Sequence, residues 1–174
     1  METNMDFVKD IELIQGRSTH KLAFRLDAFL RRALDILAAL GGLLFLAPFF
    51  AVIAIVIRRD SPGPVFYRGP RVGLHGKEFG ILKFRTMYEC PESYAGSAVT
   101  TSGDSRITPL GRWLRDSKIN ELPQLWNVLV GEMSLVGPRP EDPKLATEWP
   151  TEIRQQILAV RPGITSPASI SYRN

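Results

Sequence analysis

The stretch from Lys118 to Leu129, KINELPQLWNVL, places an amide and a carboxylate side by side just before a proline. Glu121 can act as a nucleophile, a general base or a metal ligand, whereas the Asn120 side chain can only form hydrogen bonds. The chain around this stretch carries more arginines and prolines than a packing segment needs. If the stretch is a reactive centre, the question is which of the two side chains reacts.

Composition narrows the classes of protein to which this chain can belong. Its 174 residues are enough for one domain with its own core. The 22 Lys and Arg residues against 18 Asp and Glu suit an anionic partner, such as nucleic acid, a phosphorylated small molecule or an acidic lipid headgroup. The single Cys90 excludes an intrachain disulfide and favours a reducing compartment, and two histidines make a zinc site improbable.

One apolar segment dominates the chain. From Ile36 to Ile57 there is no charged or strongly polar residue, and about twenty apolar residues suffice to cross a bilayer. Buried helices of soluble proteins rarely lack polar residues on every face. The segment therefore predicts insertion into a membrane.

The same segment leaves two topologies open. Pro48 lies near its middle and removes a helical hydrogen bond, and paired arginines flank it at residues 31–32 and 58–59. Basic residues next to membrane segments prefer the cytoplasm. A helix hairpin that returns to the cytoplasmic face satisfies both basic ends, whereas a spanning helix kinked at Pro48 satisfies one.

The remaining elements are predicted to be short. An amphipathic helix leads into the apolar segment, strand-like pieces at Val65–Tyr67 and Phe79–Phe84 favour a β-hairpin or an extended loop, and Thr108 is a candidate helix N-cap with Pro109 at the first helical position. A second helix follows with an apolar stripe and a stop at Gly131, and TEIRQQILAV predicts a further amphipathic helix. These elements indicate a mostly helical α+β fold.

Three motifs are more specific than these patterns. FYRGPRVGLHGKEFGILKFRTM, ITPLGRWLRDSKINELPQLWNVLVGEMSLVGPRPE and VRPGIT follow the apolar segment in this order. From about Phe29 to its last residue the chain resembles the bacterial sugar transferases, which are monotopic phosphoglycosyl transferases. The resemblance implies transfer of a sugar 1-phosphate from a UDP-sugar to polyprenyl (undecaprenyl) phosphate, a re-entrant helix broken at proline, and a requirement for Mg²⁺.

The resemblance also implies an organisation and a location. Residues 1–28 would form a lead-in, 29–59 a re-entrant membrane hairpin, and 60–174 a cytoplasmic catalytic domain with interfacial amphipathic helices. Both ends of the hairpin would lie on the cytoplasmic face of the bacterial inner membrane. Family members usually continue beyond the residue that matches Asn174, so a truncated C-terminus is expected, and a homo-oligomer is compatible with the sequence.

The resemblance also implies roles for individual residues of this chain. Glu121 matches the second acid of the family's Asp-Glu pair and would bind Mg²⁺, while Asn120 stands where the family has its nucleophilic Asp. Further positions match family residues that surround the phosphates or are basic candidates for that role: Arg115, Pro138, Arg139, Arg161, Arg173, Lys83 and Arg85. An amide is a very poor nucleophile, so Asn120 puts the covalent route of the family in doubt.

Two functions of different class follow from this substitution. The chain is a transferase that keeps the overall reaction through Glu121 or through direct attack by the lipid phosphate, or it is a membrane-bound binder of nucleotide sugar or polyprenyl phosphate. A nucleic-acid partner rests on the basic balance alone, because no recognised nucleic-acid module is present. Turnover assays discriminate between the first two.

Overall fold

A computed structural model of the chain describes residues 3–91, 93 and 103–166. It begins with a 58-residue helix, α1 (Thr3–Asp60). The elements that follow are β1 (Phe66–Val72), β2 (Glu78–Phe84), α2 (Pro109–Asp116), α3 (Gln124–Val130), β3 (Ser134–Val136), α4 (Pro143–Ala146), α5 (Thr151–Leu158) and β4 (Gly163–Thr165). This set confirms the predicted α+β class with a long apolar helix.

Helix α1 runs through both positions at which the sequence suggested a boundary. It continues across residue 28, and it continues across Pro48, where the sequence predicted a break between two helices. A proline removes one helical hydrogen bond and bends the axis, but the bonds on either side can persist. By length and composition Leu26–Asp60 is able to cross a membrane, and 11% of its most apolar stretch is buried.

Both halves of this apolar helix pack against the folded part of the chain. In the first half, Ala39 joins a cluster made by side chains of β2, α3 and the following loop: Phe79, Ile81, Val128 and Met133. In the second half, Ile53 and Ile57 pack on Phe84 and Leu114. Strand β2 therefore contributes two side chains to the first cluster and one to the second, so it packs against both halves of α1.

Polar contacts fix the start of the apolar segment. Arg32 donates to the carbonyl oxygens of Val128 at 2.6 Å and Leu129 at 3.0 Å, at the C-terminal end of α3. Buried Asp35 accepts from the Ser134 hydroxyl at 2.7 Å and from the Leu135 amide at 3.0 Å. These bonds seat α1 on β3 and α3.

The predicted hairpin is confirmed. Strands β1 and β2 are antiparallel, with Phe66 opposite Phe84 and Val72 opposite Glu78. β1 extends several residues beyond the predicted strand and includes Pro70. A proline fits there because β1 pairs with β2 alone among the described residues, so β1 is an edge strand.

The predicted helix signals near the acid are also confirmed. The Thr108 hydroxyl accepts from the Gly111 amide at 2.8 Å, with Pro109 at the first helical position, and Gly131 ends α3 with φ 91°. The sequence predicted two separate helices but not the conformation of the link between them. Lys118 takes a left-handed conformation, φ 61°, and leads into a 3₁₀ turn at Ile119–Glu121.

A short parallel pair completes the fold. β3 and β4 place Ser134 opposite Gly163 and Val136 opposite Thr165. The backbones are so close that a Cβ atom on Gly137 would lie 2.4 Å from the Arg161 carbonyl oxygen. The pair anchors the loop that carries Arg139, because the Gly163 amide donates to the Pro138 carbonyl at 2.9 Å.

Candidate active site

Three of the predicted site residues meet at one carboxylate. Glu121 Oε1 lies 2.7 Å from Lys83 Nζ and 3.5 Å from Arg139 Nη2. Strand β2 supplies the lysine, the 3₁₀ turn supplies the acid and the loop after β3 supplies the arginine. Lys83 and Glu121 are each 18% exposed, whereas the Arg139 side chain is 66% exposed and can meet a ligand from solvent.

Electrostatics hold this acid ionised. Burial alone would raise the pKa of Glu121, but Lys83, then Arg139 and Lys118, outweigh burial and bring the pKa below its usual value. Burial lowers the pKa of Lys83, although contact with Glu121 opposes the shift; Arg139 and Arg71 lower it further. One carboxylate among several cations leaves the site with excess positive charge, which suits a phosphate-bearing ligand.

Arg115 belongs to a second polar group at the end of α2. Its Nε donates to the Thr86 hydroxyl at 2.8 Å, and burial lowers its pKa, partly offset by attraction to Asp104. Asp104 pairs with Arg106 at 2.6 Å. Hydrogen bonds from the Arg106 side chain and backbone lower the pKa of Asp104 to about 2. The end of β2 connects the two groups, because Lys83 of the first group and Thr86 of the second are three residues apart in the chain.

Asn120 is buried beside Glu121 in the 3₁₀ turn, 8% exposed. Among the described residues its Oδ1 has no hydrogen-bond partner, although the atom is buried. An unpaired buried acceptor costs about 1–3 kcal/mol, so such groups are rare unless a ligand, a solvent molecule or a catalytic role accounts for them.

The other predicted residues lie elsewhere. Arg85 is 5% exposed and donates to backbone carbonyls at the end of α1. Arg161 donates to the Gly131 carbonyl at 2.9 Å, beyond the end of α3. Arg173 lies outside the described residues. Phosphate binding by these three arginines stays a prediction, and for Arg85 the buried setting argues against it.

Three contributing residues escaped the sequence analysis. Thr86 and Asp104 gave no signal, because a threonine after a strand and a loop aspartate are common. Asn127 was read as part of an apolar helix, yet it is buried and joins α3 to β2 through the Leu82 amide at 2.9 Å and the Gly80 carbonyl at 2.9 Å. A polar residue between Trp126 and Val128 was the available clue.

The acid also fits a magnesium ion of the kind that the resemblance implies. The described residues contain no group of three or more His, Cys, Asp or Glu side chains that could cage a metal. Mg²⁺ commonly needs one or two carboxylates together with substrate phosphates, so Glu121 suffices as the protein's charged ligand. The unpaired Asn120 oxygen in the same turn is a second hard donor.

Comparison with known proteins identifies the family of this chain. The sequence profile described as bacterial sugar transferase matches residues 26–174. This chain belongs to the bacterial sugar transferase family. The matched region contains α1 from Leu26 onward and the residues of the candidate site.

Individual bacterial sugar transferases are similar over most of the chain. An undecaprenyl-phosphate glucose phosphotransferase of Komagataeibacter xylinus is 42% identical over 83% of this chain and 28% of its own length. A UDP-N-acetylgalactosamine-undecaprenyl-phosphate N-acetylgalactosaminephosphotransferase of Aeromonas hydrophila is 40% identical over 98% of this chain and 41% of its own. The exopolysaccharide production protein PSS of Rhizobium leguminosarum bv. phaseoli is 42% identical over 83% of this chain and 75% of its own. The chain therefore spans less than half the length of the first two.

Proposed function

We propose that this chain transfers a sugar 1-phosphate from a UDP-sugar to undecaprenyl phosphate and so starts the assembly of an exopolysaccharide or related glycan. The observation that carries the proposal is the ionised Glu121 between Lys83 at 2.7 Å and Arg139 at 3.5 Å. The cations suit a diphosphate, and the acid would hold a metal ion that offsets the negative charge of the phosphates. Relatives named as undecaprenyl-phosphate sugar phosphotransferases support the choice of substrates and do not favour a non-catalytic binder.

In the overall reaction an oxygen of the lipid phosphate becomes bonded to the β-phosphorus of the UDP-sugar. The bond from that phosphorus to the oxygen bridging the two phosphorus atoms breaks, and UMP leaves with the electron pair. Lys83 and Arg139 would offset the charge that develops on the phosphate oxygens. Bound Mg²⁺ would supply further charge neutralisation, with Glu121 and the Asn120 oxygen as the groups able to hold it.

Two routes remain for the attack. Either the Glu121 carboxylate attacks first and passes the phosphosugar to the lipid, or the lipid phosphate attacks directly. The contact with Lys83 keeps Glu121 ionised but makes its oxygen a weaker nucleophile. This contact favours direct attack in the chain as it stands with Asn120.

We further infer that both ends of the apolar part of α1 lie on the cytoplasmic side. The support is that the domain touches both halves: Arg32 and Asp35 bond to α3 and β3, and Ile53 and Ile57 pack on Phe84 and Leu114. A helix that crossed a core of about 30 Å would carry one end away from the domain. Near the middle, Leu44 is 69% exposed and Phe45 82% exposed, as expected of the part that enters lipid.

The aromatic surface of the domain agrees with this placement. Trp113 on α2 is 51% exposed and Trp126 on α3 is 45% exposed. Tryptophan side chains favour the interface between lipid and water. We place these two helices at the level of the headgroups, which would bring Glu121, in the turn between them, close to the phosphate of a lipid substrate.

The test is UMP release by the full chain in lipid nanodiscs. The assay supplies Mg²⁺, undecaprenyl phosphate and in turn UDP-glucose, UDP-galactose and UDP-N-acetylgalactosamine. We expect lipid-dependent release with at least one sugar. Glu121→Gln should abolish it, and Lys144→Met, on the exposed surface of α4, should leave it unchanged. Absence of release with every sugar, or full activity in Glu121→Gln, would contradict the proposal.

A further inference from the structure

Arg85, which follows β2 directly, forms hydrogen bonds to the C-terminal end of the membrane helix. Its Nη2 donates to the carbonyl oxygens of Ile57 at 3.4 Å and Ser61 at 2.6 Å, and its Nη1 donates to the Pro62 carbonyl. Its backbone amide donates to the Val65 carbonyl at 2.9 Å. Side chain and backbone together therefore hold the last turn of α1 and the chain that leaves it.

Carbonyl oxygens in the last turn of α1 and in the chain just after it balance the buried charge of this arginine. In the described part of the chain Arg85 forms no ion pair with a carboxylate, and it is 5% exposed. The C-terminal end of a helix carries partial negative charge on its unpaired carbonyls, which stabilises a nearby cation. The guanidinium thus serves as a cap of α1 and is buried rather than exposed to solvent.

The sequence after α1 is shaped to admit the arginine. Gly63 has φ 123°, a conformation that favours glycine, and a Cβ atom there would lie 2.1 Å from Arg85 Nη1. The backbone conformation therefore favours glycine at this position, and a side chain there would displace the Arg85 guanidinium. The loop Ser61–Pro64 is built around the guanidinium.

The neighbours of Arg85 in sequence belong to the candidate site. Lys83, two residues earlier, contacts Glu121 at 2.7 Å. Thr86, the next residue, accepts from Arg115 Nε at 2.8 Å, and its carbonyl accepts from the Thr108 amide at 3.1 Å. Four consecutive residues thus touch the end of the membrane helix and both polar groups of the site.

We propose that Arg85 is a positioning residue. It fixes the end of β2 against the membrane helix and thereby holds Lys83 in contact with Glu121 and Thr86 in contact with Arg115. It acts through these two neighbours and touches neither substrate. The expected effect on turnover rests on the proposed function. The effect on the position of Lys83 does not, because it can be measured whether or not the protein turns over.

The test measures Lys83 directly in the full chain in nanodiscs. A lysine-acylating reagent is added at a short pulse, and mass spectrometry gives the labelling of Lys83 relative to exposed Lys144 in the same molecule. Loss of a charge-assisted hydrogen bond typically shifts an equilibrium about tenfold or more. In Arg85→Met we expect this ratio to rise by about tenfold or more, because the end of β2 is released and Lys83 leaves Glu121 more often.

Arg32→Met is the matched control. Arg32 also donates to two helix carbonyls and ties the apolar segment to the domain, but it has no site residue next to it in sequence. We expect a lower unfolding temperature and an unchanged labelling ratio. An unchanged ratio in Arg85→Met, or an equal rise in both variants, would overturn the proposal.

Arg85→Lys decides the case in which Arg85→Met does not fold. Lysine keeps the positive charge but lacks the planar pair of N–H donors, so it should hold the end of β2 only in part. We therefore expect the labelling ratio to rise above that of the parent protein, but by less than complete release of the end of β2 would cause. A ratio equal to that of the parent protein would overturn the proposal. If the parent turns over, Arg85→Lys should lower kcat with little change in KM for the UDP-sugar. A parent without turnover would contradict the proposed function alone.

Discussion

Asn120 and Glu121 are neighbours in one turn, yet their surroundings assign them different chemistry. Glu121 is held ionised by Lys83, Arg139 and Lys118, whereas the Asn120 oxygen is buried and accepts no hydrogen bond from the part of the chain that the structure describes. The residue types could be recognised from the sequence. Their environments could not, because the contacts come from β2 and from the loop after β3, both distant along the chain.

Replacing Asn120 with Asp should give the chain a covalent route. Asp has nearly the volume of Asn, so the packing should survive, and its carboxylate can attack the β-phosphorus where an amide cannot. Intact-protein mass spectrometry after mixing with the UDP-sugar and Mg²⁺, without lipid, should detect a phosphosugar adduct in Asn120→Asp and none on residue 120 of the parent. An adduct on Asn120 itself would contradict this assignment, and one on Glu121 would identify that residue as the nucleophile.

The Asp104–Arg106 pair should give a pH dependence at low pH. The pKa of Asp104 is lowered from 3.8 to about 2, so the ionised form favours the folded state. Its contribution to stability is present above the ordinary value and is lost as the pH falls through about 2. Carbon-13 NMR titration of the Asp104 carboxyl should give a midpoint near 2 in the parent and a higher one in Arg106→Ala. Arg112→Ala, an exposed arginine of α2, should leave the midpoint in place.

At the scale of elements, local signals were sufficient for the hairpin, for the start of α2 and for the end of α3. Thr108, Pro109 and Gly131 act through their own backbone neighbours, so a single sequence reveals them. The parallel pair of β3 and β4 was missed. Each strand has only three residues, which is too short to show an alternation of apolar and polar residues. In addition, Ser134 pairs with a residue far along the chain.

The start of α2 depends on the absence of a side chain at Gly111. A Cβ atom there would lie 2.0 Å from the Thr86 carbonyl oxygen. Gly111→Ala should push α2 away from Thr86, weaken the contact of Arg115 with that residue, and lower the free energy of unfolding by about 1–3 kcal/mol, as overpacking commonly does. Gly41→Ala is the control, because nothing lies within 4 Å of the added methyl group. Equal stability of the two variants, measured by chemical denaturation, would contradict the proposed tight contact.

At the scale of the molecule, composition alone identified the apolar segment. The inference that both of its ends lie on the same side of the membrane is supported by its contacts with the folded domain. Arg32 near one end of the segment and Ile57 near the other both contact the folded domain. No periodicity in the sequence contains this information, because it depends on where a distant domain packs. The continuous assignment of α1 across Pro48 also could not be anticipated, since proline bends some helices and ends others.

Single cysteines should therefore report the same side of the membrane. We would replace Cys90 with Ser and introduce cysteine at Arg25 in one protein and at Pro62 in another. Both should react with a membrane-impermeant maleimide in inverted vesicles and stay protected in intact cells. Labelling from opposite sides would restore the spanning helix and separate one end of α1 from the domain.

The central claim is that phosphorus moves together with the sugar. The direct measurement uses a UDP-sugar with radioactive phosphorus at the β position, incubated with the full chain, Mg²⁺ and undecaprenyl phosphate, followed by extraction into organic solvent. We expect the label to enter the lipid fraction in proportion to the UMP released, and Glu121→Gln to prevent this transfer. If the label stays in the aqueous phase as UDP while the sugar reaches the lipid, the proposed transfer of sugar 1-phosphate is wrong.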